Sequence, residues 1–485
     1  MGAPATMIRT ARGTAVGSIN LWTGLGALGS AGIAVFGTDI GAIPRPGPDR
    51  YWVHFTGVGS TLIHLGFYAG VLMLIGAWIA VGFEARRGGL TVARCWVLLG
   101  CWGLPLFLGP PVFSRDVYSY VAQGLLAHHG FNPYHVAPSA LGNGRTLASI
   151  AHVWRNTASP YGPLFVSVSR ATVTVAGRSL DAQVIAFRVV ELLGVGAIMV
   201  FVPRLARRLG TDPGIALWLA ALSPLALFSY IASGHNDALM VGLLVAGVAL
   251  AMEDRLALGV ALCALGALIK LPAALAIVFL AVVAFRRASA DDRWRVFVKA
   301  VVVPCVVLVT GTVLAGYGWT WLSLAALRVP AELRILATPS VSVGVFFGAI
   351  AHDIGIPVSR GVVVSATQVV FGLIVVAGTL WLLWNAHRSN VVRFIGLALL
   401  LFAVGSPTLW PWYLIWGVTI LAATTAQRSK MLAAAAGLAM LVVGAGGSPM
   451  LNGLAYVVTA PLLLAGCVWF FWDRHWQTVV SGRVD

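Results

Sequence analysis

Only sixteen of the 485 residues are acidic, few enough to sort one by one for side chains able to accept a proton or hold a ligand. Eight (Glu84, Asp212, Glu253, Asp254, Asp291, Asp292, Asp473 and Asp485) belong with basic loops. Glu191 lies inside an apolar run three positions after Arg188, where an ion pair on one helix face is expected. Among the remaining seven (Asp39, Asp49, Asp116, Asp181, Asp237, Glu332 and Asp353), two stand out. Asp116 lies in F-S-R-D-V-Y-S-Y-V-A-Q-G-L-L, where Val117, Val121, Leu125 and Leu126 recur at helical spacing. Ser114 is then the candidate N-cap, and Asp116 falls in the first turn, where the helix dipole keeps a carboxylate ionised and able to take a proton from a hydroxyl. The plainer alternative is an aspartate that caps the helix or pairs with Arg115. Asp237 closes the polar run S-G-H-N-D-A-L-M, residues 233–240, between two apolar stretches. His235, Asn236 and Asp237 are placed to orient a substrate hydroxyl or support a base; Asn-Asp turn chemistry accounts for them equally well.

Two further groups could act on a ligand. Lys270, one of three lysines in the chain, interrupts an apolar run just before Pro272, a position suited to a phosphate at membrane depth as well as to simple snorkelling. The segment S-P-T-L-W-P-W-Y (406–413) carries Trp410, Trp412 and Tyr413, which fit an aromatic belt or a platform for stacking on a sugar ring. The histidines show no metal-ligand motif, and the five cysteines all fall in apolar stretches without ligand spacing. No metal and no cofactor are expected.

The elements that must hold these groups are set by composition. The chain is 59% hydrophobic and 10% charged, against roughly 25% charged in soluble domains. Fourteen apolar stretches between residues 21 and 472 are candidate spans, so an all-α polytopic membrane protein with about 13–14 transmembrane helices is expected. The net charge of +16 reflects basic loops and not a nucleic-acid surface. With a cytoplasmic N-terminus, 20 of the 32 Lys and Arg residues fall in the short inner loops, as the positive-inside rule requires. That orientation makes 161–178 a helix lying in or re-entering the interface. It also leaves two long outer segments, 111–182 and 317–360, and makes both, together with 233–236, reachable from outside. The chemistry-bearing residues then gather at the outer face. We read residues 1–485 as one domain.

The order of these segments resembles the GT-C membrane glycosyltransferases: a carboxylate just after an early span, interfacial helices in the first large outer loop, and a Pro-rich start to a later interfacial helix. S-R-D-V-Y-S-Y, N-P-Y (132–134), S-P-Y-G-P-L (159–164), G-H-N-D-A-L (234–239) and K-L-P-A (270–273) are similar to segments of the actinobacterial polyprenyl-phosphate-mannose-dependent α-1,6-mannosyltransferases, which extend the mannan backbone of lipomannan and lipoarabinomannan. The resemblance runs from about residue 90 to 425. It departs from relatives that carry paired acids in the first loop, because here Arg115 precedes a single Asp116. It implies an inverting transfer at the periplasmic face of the plasma membrane, from a polyprenyl-phosphate sugar to a lipid-linked mannan acceptor. Asp116 would be the base, Lys270 and Arg115 would hold the donor phosphate, and the donor's tail would enter beside 317–360. His235, Asn236, Asp237, Tyr118, Tyr120, Tyr161, Trp410, Trp412 and Tyr413 would bind sugar and acceptor. Two rivals remain open: transfer of arabinofuranose or glucose, and a lipid or solute transporter whose site would lie at the Lys270–Pro272 break.

Overall fold

Apolar runs free of helix-breaking clusters make helices in a bilayer, because every backbone polar group there must find its partner within the segment. The computed structural model describes residues 4–44, 51–52, 58–323 and 338–448, with side chains from residue 19 onward. The described chain is helical in order: α1 (Pro4–Ile40), α2 (Ser60–Arg86), α3 (Val92–Leu108), α4 (Asp116–His128), α5 (Arg145–Ser149), α6 (Pro163–Ala176), α7 (Leu180–Arg208), α8 (Pro213–Ala220), α9 (Pro224–Ala226, continued by a π-helical turn Leu227–Ala232), α10 (Asp237–Met252), α11 (Leu256–Ala267), α12 (Ala274–Arg287), α13 (Arg293–Phe297) and α14 (Val303–Ala315). Helices Pro339–Asp353, Arg360–Trp384, Val391–Gly405 and Ile415–Ala422 follow. The chain is an all-α polytopic membrane protein.

The fourteen apolar stretches resolve unevenly. Among the described residues five helices are long and apolar enough to cross a membrane: Ile19–Ile40, Ser60–Arg86, Leu180–Arg208, Arg293–Ala315 and Arg360–Trp384. The pair Pro213–Ala220 and Pro224–Ala232 would make a sixth, bent by 49°. Six others are apolar helices of 10–17 residues. Pro163–Ala176 is one of these; fourteen residues rise only about 21 Å, which suits the interfacial or re-entrant placement. α11 and α12 are likewise short, and the break between them falls at Lys270, whose backbone is extended (φ −152°, ψ 124°). The stretch 452–472 lies outside the described residues, as does much of 317–360.

Three positions on one face of α7 fix the element that carries the polar turn. Arg188, 1% exposed, does not pair with Glu191 as expected. Its guanidinium donates to three backbone carbonyls, Ile231 (3.0 Å), Gly109 (2.7 Å) and Leu106. Those carbonyls belong to the C-terminal end of α3 and to the π turn, where helix geometry leaves acceptors unsatisfied. Glu191 instead accepts from the Leu239 N–H at 3.1 Å, supplying from a neighbouring helix the cap that Asn236 does not give α10. Gly194, one turn on, lets α10 approach so closely that a Cβ there would meet Ala238 C at 2.2 Å. The turn itself needs Gly234 at φ +71°, which a side chain would strain.

This packing corrects the expected accessibility of 233–236. Ser233, His235 and Asn236 are fully buried, and the Ser233 hydroxyl donates to the Val112 carbonyl at 2.7 Å. Ser139, in the segment 111–182 expected to lie outside, and Ser289, beyond the C-terminal end of α12, are both exposed. In a cysteine-free background, Ser139→Cys should react with an impermeant thiol reagent in intact cells and Ser289→Cys only after permeabilisation, while Ser233→Cys should stay unlabelled in both. Labelling of Ser289→Cys in intact cells would reverse the proposed sidedness.

Candidate active site

The approach to Asp116 begins with a strained residue. Phe113 has φ 65°, an unusual backbone for a bulky side chain, held by its N–H on the Ala445 carbonyl at 2.7 Å. The turn brings Ser114 to the start of α4, where its hydroxyl accepts from the Asp116 N–H at 3.1 Å. Ser114 is therefore not the N-cap expected: Arg115 holds that position without a side-chain cap bond, Asp116 is the first helical residue, and the Ser114 hydroxyl closes a turn one residue earlier. The helix ends as expected at Ala127-His128-His129-Gly130, with Gly130 at φ +83°.

Asp116 faces a cavity of about 600 Å³ that it shares with Ser114, Arg115, Trp154, Trp410 and Trp412. Trp410 and Trp412 stack with ring centroids 4.8 Å apart and an interplanar angle of 9°, a flat apolar wall of the kind on which a pyranose ring rests. Asp39, which the sequence reading left without a role, lines the same space. Burial raises the Asp116 carboxyl from about 4 to about 6; Lys270 pulls it down, Asp237 pushes it up, and hydrogen bonding to Trp154 and Ser114 favours the charged form. The sequence suggested a carboxylate governed by the helix dipole; burial, which raises it, is a contribution that local sequence does not reveal. The result is a carboxylate still ionised at neutral pH and a stronger base than an exposed one.

Behind Asp116 the polar turn is packed against the aromatic wall. His235 Nε2 lies 3.8 Å from Asp116 Oδ2, but burial lowers the imidazole to about 3, so the ring is neutral and the contact is no ion pair. Its face rests on Trp412, with centroids 4.3 Å apart. Both His235 ring nitrogens, Asn236 Nδ2 and Trp410 Nε1 are buried without a hydrogen-bond partner. A buried polar atom left unmatched costs about 1–3 kcal/mol; of these residues Trp410 lines the cavity, whereas His235 and Asn236 lie fully buried behind it.

Lys270 reaches this region from the break between α11 and α12. Its ammonium is 2.9 Å from Asp237 Oδ1 and lies over the rings of Tyr413 (4.6 Å), Trp416 (5.1 Å) and Tyr161 (5.8 Å). The Trp416 indole N–H donates to the same Asp237 oxygen. Tyr161 is registered to Lys270 by the backbone: Gly162 N–H bonds the Ile269 carbonyl at 2.9 Å and Leu164 N–H the Leu268 carbonyl at 3.0 Å. A Cβ on Gly162 would come within 2.1 Å of Leu268 O, so only glycine permits this contact.

The residues expected from sequence thus divide. Asp116, Arg115, Trp410 and Trp412 line one cavity. His235, Asn236, Asp237, Lys270, Tyr161 and Tyr413 do not line it but pack in a layer behind Asp116, with His235 Nε2 3.8 Å from Asp116 Oδ2 and the Tyr120 hydroxyl 3.4 Å from Asn236 Oδ1. Tyr118 does not belong to the site: it is fully buried and donates to the Ala42 carbonyl at 2.6 Å. Arg115 donates to the carbonyls of Ile43 (2.9 Å) and Ser149 (3.2 Å), which fixes its guanidinium at the cavity wall. Trp416 and Trp154 went unnoticed in the sequence, because no local pattern marks either, while Glu191 was read as the partner of Arg188 and instead accepts from the Leu239 N–H. Among the described residues no three His, Cys, Asp or Glu side chains cluster.

The membrane-embedded helical scaffold and a cavity in which Asp116 faces a tandem-tryptophan wall are features a membrane glycosyltransferase would need, and comparison with known proteins supplies the class. Residues 23–286 match the family model described as the N-terminal domain of alpha-(1->6)-mannopyranosyltransferase, and residues 340–472 match the MptB C-terminal domain. Alpha-(1->6)-mannopyranosyltransferase A of Mycobacterium tuberculosis is 31% identical over 438 residues, spanning 86% of this chain and 83% of the relative. The corresponding A protein of Corynebacterium glutamicum is 28% identical over 469 residues (89% and 92%), and its B protein 26% over 440 residues (82% and 72%). No solved structure matches. The chain belongs to the alpha-(1->6)-mannopyranosyltransferase family and is a membrane mannosyltransferase.

The raised Asp116 carboxyl predicts the acid limb of activity. A base must be deprotonated, so kcat/KM should be flat above about pH 6 and fall as pH drops below that value. A profile still flat at pH 5 would remove Asp116 from the role of base.

Proposed function

We propose that this mannosyltransferase moves mannose from a polyprenyl-phosphate donor to the 6-hydroxyl of a lipid-linked α-mannan acceptor, at the periplasmic face of the plasma membrane and with inversion. The observation that carries this reading is the single cavity holding Asp116, Arg115 and the stacked Trp410–Trp412 pair.

The acceptor's O6–H proton passes to Asp116 while O6 bonds to C1 of the β-linked mannosyl phosphate. The C1–O bond to phosphate breaks, and polyprenyl phosphate leaves with the electron pair. The leaving phosphate is a weak base, so it needs positive charge more than an acid; Arg115 at the cavity wall and Lys270 behind it supply that charge. The acceptor's sugar rings stack on Trp410 and Trp412, and a hydroxyl takes the unmatched Trp410 indole N–H. Because C1 is attacked from the face opposite the phosphate, the acceptor O6 and the phosphate sit on opposite sides of C1, O6 toward Asp116 and the phosphate toward the cations. The names of the relatives support mannose as the sugar and the α-1,6 linkage as the product.

The test incubates purified protein with labelled polyprenyl-phosphate mannose, arabinofuranose or glucose and a short α-1,6-mannoside. Only mannose should be transferred, forming a new α-1,6 linkage, and Asp116→Asn should lose at least about 10²-fold in rate, as expected for a general base. Transfer of another sugar in preference to mannose would change the substrate. An Asp116→Asn enzyme within about threefold of wild type would move the base elsewhere.

A further inference from the structure

At the end of α10 opposite Asp237 the chain builds a second cavity, of about 400 Å³, which the transfer reaction leaves unused. It lies where the C-terminal ends of α10 and α12 meet α13 and the start of helix Val391–Gly405. Four cations line it (Arg287, Arg295, Lys299 and Arg388) against two carboxylates, Asp254 and Asp292. Both carboxylates are already engaged. Arg388 bonds Asp254 at 2.8 Å and the Met252 carbonyl at 2.9 Å, while Asp292 takes the Ser289 hydroxyl at 3.1 Å and lies 3.5 Å from Arg295.

Arg287 and Lys299 are different. Both are exposed, and neither makes a hydrogen bond or ion pair among the described residues. The contrast with the adjacent Arg286 is informative: its guanidinium donates to the carbonyls of Leu383 (3.3 Å), Trp384 (2.8 Å) and Ala386 (2.9 Å), so it serves the fold. The cavity therefore keeps two cations unengaged at its mouth and closes behind them on apolar side chains such as Leu280, Val283 and Val391. Beside it Trp294, 69% exposed, stacks on Phe297 with centroids 5.4 Å apart, as aromatic residues do at headgroup level. A polar mouth, an apolar rear and an interfacial tryptophan fit a phosphate that arrives with an acyl chain attached better than one free in solution.

We propose that this cavity binds the phosphate headgroup of an anionic membrane phospholipid, with Arg287 and Lys299 as its direct ligands. The site is separate from the transfer chemistry and does not depend on which sugar or acceptor that chemistry uses. Native mass spectrometry of the full-length protein, exposed in turn to phosphatidylglycerol, phosphatidylcholine and inorganic phosphate, reads the binding. Phosphatidylglycerol should be retained about tenfold better than phosphatidylcholine, and the double substitution Arg287→Ala/Lys299→Ala should abolish that preference. Arg287→Lys/Lys299→Arg should keep it, because charge is conserved and the fold is undisturbed. Arg86→Ala/Arg87→Ala, which removes as much charge elsewhere, should also leave it unchanged. No preference for the anionic lipid, or an equal loss in the Arg86/Arg87 variant, would overturn the site. Retention of inorganic phosphate without the lipid preference would overturn the lipid assignment.

Discussion

The contact between Lys270 and Asp237 organises this molecule. Both charges have left bulk water, a transfer that is unfavourable by several kcal/mol per ion unless geometry and neighbouring polar groups compensate. Here the ammonium lies 2.9 Å from the carboxylate, over three aromatic faces, and the Trp416 indole donates to the same oxygen. Each partner stands at a helix break: Asp237 at the start of α10 and Lys270 between α11 and α12. The pair can form only if both breaks reach the same depth, so it fixes the relative height of three helices.

The surrounding structure reads as support for that placement. Arg188 ties the π turn to the end of α3, and Glu191 caps α10 from across the α7 interface. The backbone contacts at Gly162 and Leu164 bring Tyr161 to Lys270. The chain rising from α3 through the strained Phe113 then delivers Asp116 to the front of the same wall. Behind the cavity Lys270 is paired with Asp237 Oδ1, whereas Asp237 Oδ2 and nitrogens of His235, Asn236 and Trp410 have no partners. That difference between a closed charge pair and open hydrogen-bonding atoms is what a site needs if it must bind a neutral sugar and stabilise a phosphate that gains charge as it leaves.

Much of this was visible in the sequence because bilayer insertion makes polar residues rare and therefore informative. Asp116, His235, Asp237 and Lys270 stand out in apolar surroundings, and Lys270 before Pro272 announced the break that the structure has. What stayed hidden depends on contacts between distant segments. Arg188 and Glu191, three apart on one helix, suggested a pair, but backbone ends of α3 and α10 offered each a better partner. Tyr118 and Tyr120 are two residues apart, and only the direction of α4 decides that one faces Ala42 and the other Asn236. Helix lengths were overestimated where apolar runs continue through a break, since hydropathy does not register a turn stabilised by another element.

The central claim is that Lys270 and Asp237 work as one unit, the carboxylate holding the ammonium where the donor phosphate needs it. A double-mutant cycle on kcat/KM, comparing Asp237→Asn, Lys270→Met and the double substitution, measures this directly. The account predicts that the double variant is no slower than the slower single variant, an interaction of at least about 2 kcal/mol. Losses that multiply would show that the two residues act independently and would contradict it.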